Sequence, residues 1–140
     1  MAIALITGTT AGIGKATAQT LAKEGYNLIL NGRRTDKLEA QAAELQETFR
    51  IKTLLMPVDV RDNDAVDSFL SALPAEWKAI DVLVNNAGLA AGLDNLENGD
   101  IDHWNRMIDT NIKGLLYISK AMIPLLKKTQ GHIVNIGSIA

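Results

Sequence analysis

The chain has 140 residues, 47% of them hydrophobic and 21% charged, which suits one soluble α/β domain and not two. A net charge of −2 without a basic cluster argues against binding to nucleic acid or to a membrane surface. Cysteine is absent, which excludes disulfides and thiolate zinc sites. The apolar start has no charged leader and no apolar run reaches about 18 residues, so we expect neither a signal peptide nor a membrane span. The absence of cysteine fits a cytoplasmic protein, and we expect no bound metal.

Short apolar runs alternate along the chain with longer amphipathic segments. The predicted strands, all expected to be buried, are Ala2 to Ile6, Asn27 to Leu30, Thr53 to Val58, Ile80 to Val84 and His132 to Ile136. The predicted helices are Ile13 to Lys23, Asp36 to Phe49, Asn63 to Leu73 and Thr110 to Lys128, with a weaker one near Ile101 to Ile108. This alternation predicts an α/β fold, a doubly wound parallel sheet with helices on both faces.

Residues at the helix ends carry their own signals. Thr35 is expected to cap the second helix, and Asp62 or Asn63 the third, by accepting hydrogen bonds from unpaired backbone N–H groups. Gly25 and Gly131 follow predicted helix ends, where the chain needs a left-handed residue.

The strongest local signal is the glycine-rich turn Thr7-Gly8-Thr9-Thr10-Ala11-Gly12-Ile13-Gly14, between the first strand and the first helix. Glycines let the backbone approach a ligand closely, and a helix N-terminus supplies N–H donors to an anion. We therefore predict a phosphate-binding turn for a dinucleotide. Its contacting residues are expected to be Gly8, Thr9, Thr10, Gly12, Ile13 and Gly14. The alternative is a tight strand-to-helix turn that holds no ligand.

Two other phosphate-binding motifs do not fit this turn. A P-loop needs serine or threonine after Gly-Lys, but Gly14-Lys15 is followed by Ala16. The common dinucleotide fingerprint separates its glycines by one and then two residues, whereas here the separations are three and one.

Three further motifs follow in order, each beside a predicted element. They are Asn85-Asn86-Ala87-Gly88 after the fourth strand, Asp109-Thr110-Asn111 at the start of the long helix, and Asn135-Ile136-Gly137-Ser138 on the fifth strand. With the glycine-rich turn, they resemble the short-chain dehydrogenase/reductase family over nearly the whole chain. The resemblance implies a Rossmann-like fold and hydride transfer between a nicotinamide cofactor and a small-molecule alcohol or carbonyl. Residues 73–77 and 80–90 look most like the NADP-dependent 3-hydroxy acid dehydrogenases, which act on serine or allo-threonine.

The residues after the second strand bear on the choice of cofactor. About 20 residues past the glycine-rich turn, NAD sites carry an acid and NADP sites an arginine. This sequence has Gly32-Arg33-Arg34 there, and a guanidinium can bind the 2′-phosphate that a carboxylate would repel. We therefore predict NADP rather than NAD, with a solvated loop as the alternative.

The resemblance also implies roles for residues after the third and fourth strands. Asp59 and Val60 are expected to flank the adenine, with Asp59 accepting a hydrogen bond from the exocyclic amine. Asn86, Ala87 and Gly88 are expected to line the ribose and the pyrophosphate. The alternatives are a surface carboxylate after a strand and a plain turn.

Two predicted catalytic residues come from the same resemblance. Ser138 is expected to hydrogen-bond the substrate oxygen as a carbonyl becomes an alkoxide, and Asn111 to help hold a water in a proton relay. The alternatives are a serine bonded locally and a helix-start asparagine bonded to backbone. The family's acid/base is a tyrosine with a lysine four residues on, and Tyr117 is followed by Lys120, three residues on.

We therefore expect residues 1–140 to form a single dinucleotide-binding domain that stops before the Tyr-x-x-x-Lys segment and is inactive alone. The favoured hypothesis is an NADP-dependent oxidoreductase. The alternatives are an NADP-binding sensor or scaffold with a dead active site, and an NAD-dependent epimerase-like relative, which the glycine spacing disfavours. The helix from Thr110 to Lys128 is apolar on more than one face, and relatives pair through it, so we expect a homodimer or homotetramer.

Overall fold

The structure, a computed structural model, describes residues 1–139. Within them lie five strands: β1 (Ile3–Ile6), β2 (Asn27–Asn31), β3 (Thr53–Met56), β4 (Val82–Asn85) and β5 (His132–Asn135). The α-helices of the same residues are α1 (Gly12–Lys23), α2 (Thr35–Phe49), α3 (Asn63–Ser71), α4 (Ile101–Ile108) and α5 (Leu115–Thr129). A π-helical segment, Asp109–Gly114, joins α4 to α5, and short 3-10 turns lie at Ala75–Trp77 and Leu96–Asn98.

The strands form one parallel sheet in the order β3-β2-β1-β4-β5. The chain builds outward from β1 in one direction through β2 and β3, and then in the other through β4 and β5. The order therefore reverses between β1 and β4. In sheets of this kind, ligands bind in the crevice outside the carboxyl ends of the strands at that reversal. The predicted doubly wound, Rossmann-like fold is confirmed.

Alternate side chains of the central strands point to opposite faces of the sheet, and each face has its own core. Ile3 and Leu5 of β1 belong to the cluster that packs against α3 and α5. Ala4 and Ile6 belong to the cluster that packs against α1 and α2. Helices thus cover both faces, which explains why the central strands are apolar throughout.

Two predictions about helix ends are wrong. Thr35 is the first residue of α2 and not its cap, because Arg34 is the extended residue before the helix and provides no side-chain cap. After α5 the left-handed residue is Gln130, with φ 53°, and not Gly131. The other two predictions are confirmed, since Asp62 accepts a hydrogen bond from Ala65 N and Gly25 has φ 88°.

The last strand differs from its prediction as a buried element. β5 pairs only with β4, and all four of its residues are exposed. It forms one edge of the sheet. Ile133 and Val134 are 38% and 44% exposed there.

Helix α5 and the π-helical segment carry apolar residues on two faces. Ile118, Met122 and Leu126 are buried against the sheet. On the outer face, Ile112, Leu116 and Ile123 are 55%, 56% and 41% exposed. Within residues 1–139, no helix is both long enough and apolar enough to cross a bilayer.

Candidate functional site

A cavity of about 380 Å³ opens at the carboxyl edge of the sheet, where the strand order reverses. Its walls come from the glycine-rich turn, the ends of β2 and β3, the turn after β4, and the start of the long helix. Nine of the predicted site residues line it: Gly8, Thr10, Gly12, Arg33, Asp59, Val60, Asn86, Ala87 and Gly88. Ala11, Asn31, Gly32, Val58, Arg61, Leu89, Arg106 and Thr110 also line it, and the sequence analysis assigned none of them to the site.

The glycine-rich turn is held against the turn after β4 by a compact set of hydrogen bonds. Asn86 Nδ2 donates to the carbonyl oxygens of Thr7 and Gly8 at 3.1 and 3.0 Å. In return, the Thr7 hydroxyl accepts from the backbone N–H groups of Asn86 and Ala87 at 3.0 and 2.9 Å. The predicted ribose and pyrophosphate residues are thus fixed beside the predicted phosphate-binding turn.

Glycine is required in this turn for two different reasons. Gly8 and Gly12 have φ of 66° and 54°, a left-handed conformation that other residues adopt only at a cost. Gly14 instead faces the Gly8 carbonyl so closely that an added Cβ would lie 2.0 Å from its oxygen and 2.4 Å from Asn86 Nδ2. The first turn of α1 therefore packs directly against the loop that precedes it.

Gly14→Ala is expected to lower the free energy of unfolding by about 3 kcal/mol, because the new methyl group overlaps backbone that cannot move without breaking the Asn86 contacts. Urea unfolding measures this change. Gly12→Ala is the matched control: nothing lies within 4 Å of its added Cβ, so only the strain of its positive φ remains, about 1 kcal/mol. Equal losses for the two variants would contradict the close packing at Gly14.

A buried asparagine ties the same turn to the ends of β2 and β3. Asn31 is 2% exposed, and its Oδ1 accepts from Gly8 N at 3.3 Å. Its Nδ2 donates to the carbonyl oxygens of Met56 and Val58 at 3.0 and 2.8 Å. The sequence signal for this residue is a single amide at the end of the apolar run of β2, which sequence reasoning did not use.

Four predicted cofactor contacts lie outside the cavity lining: Thr9, Ile13, Arg34 and Gly14, which packs against the Gly8 carbonyl. Thr9 is fully buried and donates from its backbone N–H and its hydroxyl to the Asn31 carbonyl, at 2.9 and 3.2 Å. Ile13 is 61% exposed on the first turn of α1. Arg34 is an exposed residue at the start of α2. Their contacts with a cofactor stay predictions.

Asp59 is held by a neighbouring arginine. The Arg61 guanidinium donates to both carboxylate oxygens, with Nε at 3.1 Å from each and a terminal nitrogen at 2.7 Å from Oδ2. The backbone N–H of Arg61 adds a further bond at 3.0 Å. These bonds are the main reason why the pKa of Asp59 lies below its usual value, and the positive charge of Arg33 lowers it further. Asp59 is therefore ionised at neutral pH.

The predicted catalytic residues occupy the same edge of the sheet but do not line the cavity. Asn111, in the π-helical segment, accepts from Leu89 N and donates to Leu89 O, both at 2.8 Å. Asn111 is therefore bonded to backbone, which is the alternative that the sequence offers for it. These bonds tie the loop after β4 to the long helix. Ser138 lies three residues beyond the end of β5 and is exposed.

The residue before the Asn86 turn links β5 to its neighbours. Asn85 is buried, and its Nδ2 donates to Ser119 Oγ and to Asn135 Oδ1, both at 3.0 Å. Asn135 is also its register partner across the β4–β5 pair. The contact fixes where β5 ends and hence where the segment with Ser138 begins. Across residues 1–139, no three histidine, cysteine or acidic side chains converge as metal ligands would.

The chain is similar to known proteins over nearly its whole length. The family model described as short chain dehydrogenase matches residues 2–140. The chain is 44% identical over 139 residues to the NADP-dependent 3-hydroxy acid dehydrogenase of Salmonella typhi, covering 99% of this chain and 54% of that protein. It is 46% identical over 136 residues to serine 3-dehydrogenase of Agrobacterium fabrum, covering 97% of this chain and 53% of that protein.

Among solved structures, the closed form of serine dehydrogenase complexed with NADP+ superposes with a TM-score of 0.89 at 40% identity. That match covers 98% of this chain and 54% of the solved one. The chain therefore spans about half the length of the curated relatives that it matches.

Proposed function

Because the chain belongs to the short-chain dehydrogenase family, we propose that it forms the cofactor-binding part of an oxidoreductase that transfers a hydride between NADP(H) and an alcohol or carbonyl substrate. The observation that carries the proposal is the cavity itself. It lies at the reversal of strand order and joins a glycine-rich turn, an ionised carboxylate and an arginine that has no acid beside it at position 32.

The residues of the cavity fit such a dinucleotide. Gly8 and Gly12 leave bare backbone at the N-terminus of α1, where N–H groups can approach a pyrophosphate. Asn86, Ala87 and Gly88 would face the ribose and the pyrophosphate from the turn after β4. Asp59 and Val60 would flank the adenine. When bound, the nicotinamide supplies or accepts the hydride.

The cofactor preference follows from the charges at the end of β2. Within residues 1–139, no side chain forms an ion pair or a hydrogen bond with the Arg33 guanidinium, which lies at the cavity wall. A guanidinium without an ion pair or a hydrogen bond can donate two parallel N–H bonds to a phosphate. We therefore favour NADP(H), the cofactor that the names of several relatives give for those proteins.

Arg33→Ala in the full-length protein is expected to weaken NADPH binding by about tenfold or more, because a charge-assisted bond to phosphate contributes about 1.5–3 kcal/mol. NADH, which lacks the 2′-phosphate, should bind with little change. Fluorescence titration of both cofactors measures the two dissociation constants. Lys23→Ala is the control, since it removes one positive charge at the far end of α1. Tighter binding of NADH than of NADPH by the unaltered protein would refute the assigned preference.

The substrate that we propose is a small 3-hydroxy acid, such as serine or allo-threonine. Support comes from the names of two relatives, a 3-hydroxy acid dehydrogenase and a serine 3-dehydrogenase, at 44% and 46% identity. A steady-state screen of 3-hydroxy acids against simple secondary alcohols tests it in the full-length protein. No observation on residues 1–139 favours the alternative of a cofactor-binding scaffold.

We also propose that the protein is a homodimer or homotetramer that pairs through the outer face of α5. Leu116 and Ile123 of α5, with Ile112 of the preceding π-helical segment, are exposed apolar side chains that lie off the face packed on the sheet. Apolar side chains left in water in this way are stabilised by burial against a second copy. Light scattering at micromolar concentration should give a multiple of the subunit mass, and Leu116→Glu should shift the protein towards the monomer.

A further inference from the structure

The Asp59–Arg61 pair, at the cavity wall, has further charged residues near it. Lys113 Nζ lies 3.4 Å from Asp109 Oδ1, and the negative charge of Asp109 contributes to raising the pKa of Arg61, behind the larger effects of Asp59. Arg61 in turn binds Asp59. Arg33 lines the same cavity as Asp59, and its positive charge lowers the pKa of that carboxyl. These charged residues come from the π-helical segment and from the loops after β3 and β2.

Arg33 has no ion-pair or hydrogen-bond partner among residues 1–139, whereas Arg61 binds Asp59 through two of its guanidinium nitrogens. Both oxygens of Asp59 accept from Arg61, so the charge of the carboxylate is balanced and its orientation is fixed by Arg61. A carboxylate without that partner would have Arg33 as a nearby cation at the cavity wall.

We propose that Arg61 sets the cofactor preference of this protein by binding Asp59 and thereby leaving Arg33 free for the 2′-phosphate. This inference rests on the proposed function and adds a residue to it. Arg61 acts as a positioning residue, because its guanidinium bonds to Asp59 and acts on the phosphate only through Asp59 and Arg33.

Loss of Arg61 is expected to weaken NADPH binding in two ways that do not apply to NADH. The ionised Asp59 repels the 2′-phosphate directly once its charge is unbalanced, and it attracts Arg33 into an ion pair that competes with the phosphate. NADH carries a hydroxyl at that position and meets neither effect. The adenine contact of Asp59 is common to both cofactors, so it cancels when the two affinities are compared as a ratio.

The test is the ratio of NADH to NADPH dissociation constants, measured by fluorescence titration on the full-length protein. Arg61→Gln is expected to lower this ratio by roughly tenfold, the scale of one charge-assisted contact to phosphate. Asp59→Asn combined with Arg61→Gln is expected to restore most of the ratio, because asparagine still accepts from the adenine amine but no longer attracts Arg33. Lys23→Gln removes the same charge far from the cavity and should leave the ratio unchanged.

The outcomes separate the inference from the function on which it rests. A wild-type protein that does not bind NADPH overturns the proposed function. A wild-type preference for NADPH that survives Arg61→Gln, or a loss that Asp59→Asn does not reverse, overturns the inference alone and leaves Arg61 with a structural role. If the circular dichroism of Arg61→Gln departs from wild type, Arg61→Lys replaces it. That variant keeps the charge but lacks the forked donors, so a smaller fall in the ratio is expected, and an unchanged ratio counts against the inference.

Discussion

Residues 1–140 expressed alone are expected to show no NADPH-linked turnover of 3-hydroxy acids. They contain Asn111 and Ser138 but no tyrosine that is followed four positions later by lysine. The two tyrosines of the sequence, Tyr26 and Tyr117, are followed four positions later by Leu30 and Ala121, so neither supplies that pair. Positioned acid/base groups typically contribute about 10²–10⁴-fold to a rate, and losing them should place turnover below detection.

The exposed edge of the sheet gives a second reason to expect an inactive fragment. β5 leaves its outer backbone groups unpaired, and Ile133, Val134 and Ile136 are 38%, 44% and 39% exposed beside them. An apolar edge of this kind associates readily with other strands. We therefore expect low solubility for residues 1–140, to be measured by centrifugation before the assay, with the full-length protein as the positive control. A soluble and active fragment would contradict both the need for further residues and the assignment of proton transfer to a Tyr-x-x-x-Lys motif.

The fold was predictable because its strands are short apolar runs set off by amphipathic helices. The successive apolar residues Ala4, Leu5 and Ile6 predict that β1 is buried on both faces. The predictions are wrong where a neighbouring strand or residue decides the burial of a strand or the cap of a helix. β5 was predicted to be buried, yet all four of its residues are exposed at an edge of the sheet, where it pairs only with β4. Thr35 has the right chemistry for a cap, but the extended residue before α2 is Arg34.

The site was predictable where a motif is local and not where a contact is long-range. Gly8 and Gly12 mark the predicted phosphate-binding turn within one stretch of sequence, and both line the cavity. Asn31 bonds to residues up to 27 positions away, so its role appears only when β2 and β3 are paired. Arg61 is only two residues from Asp59, but an arginine at that spacing in a loop is ordinarily solvated, and only the geometry shows the pair.

The position of Ser138 follows from the pairing of the last two strands. Asn135 pairs with Asn85 and receives its side-chain hydrogen bond, so β5 ends level with β4. Parallel strands have their carboxyl ends on one edge of the sheet, and Ser138 therefore emerges on the edge that carries the cavity. A hydroxyl placed there can donate to the oxygen of a substrate whose carbon faces the nicotinamide.

Ser138→Ala in the full-length protein is expected to lower kcat by about 10²-fold or more, because one donor to a developing oxyanion contributes on that scale. The dissociation constant for NADPH should stay within about twofold of wild type, because this side chain does not line the cavity proposed for the cofactor. Stopped-flow or steady-state kinetics gives the first quantity and fluorescence titration the second. Ser71→Ala is the control: it removes the same atom from an exposed position at the end of α3, which runs back towards the opposite edge of the sheet. Turnover near the wild-type rate would assign Ser138 a structural role. A parallel loss of NADPH binding would show that the segment after β5 supports the cofactor and not the substrate.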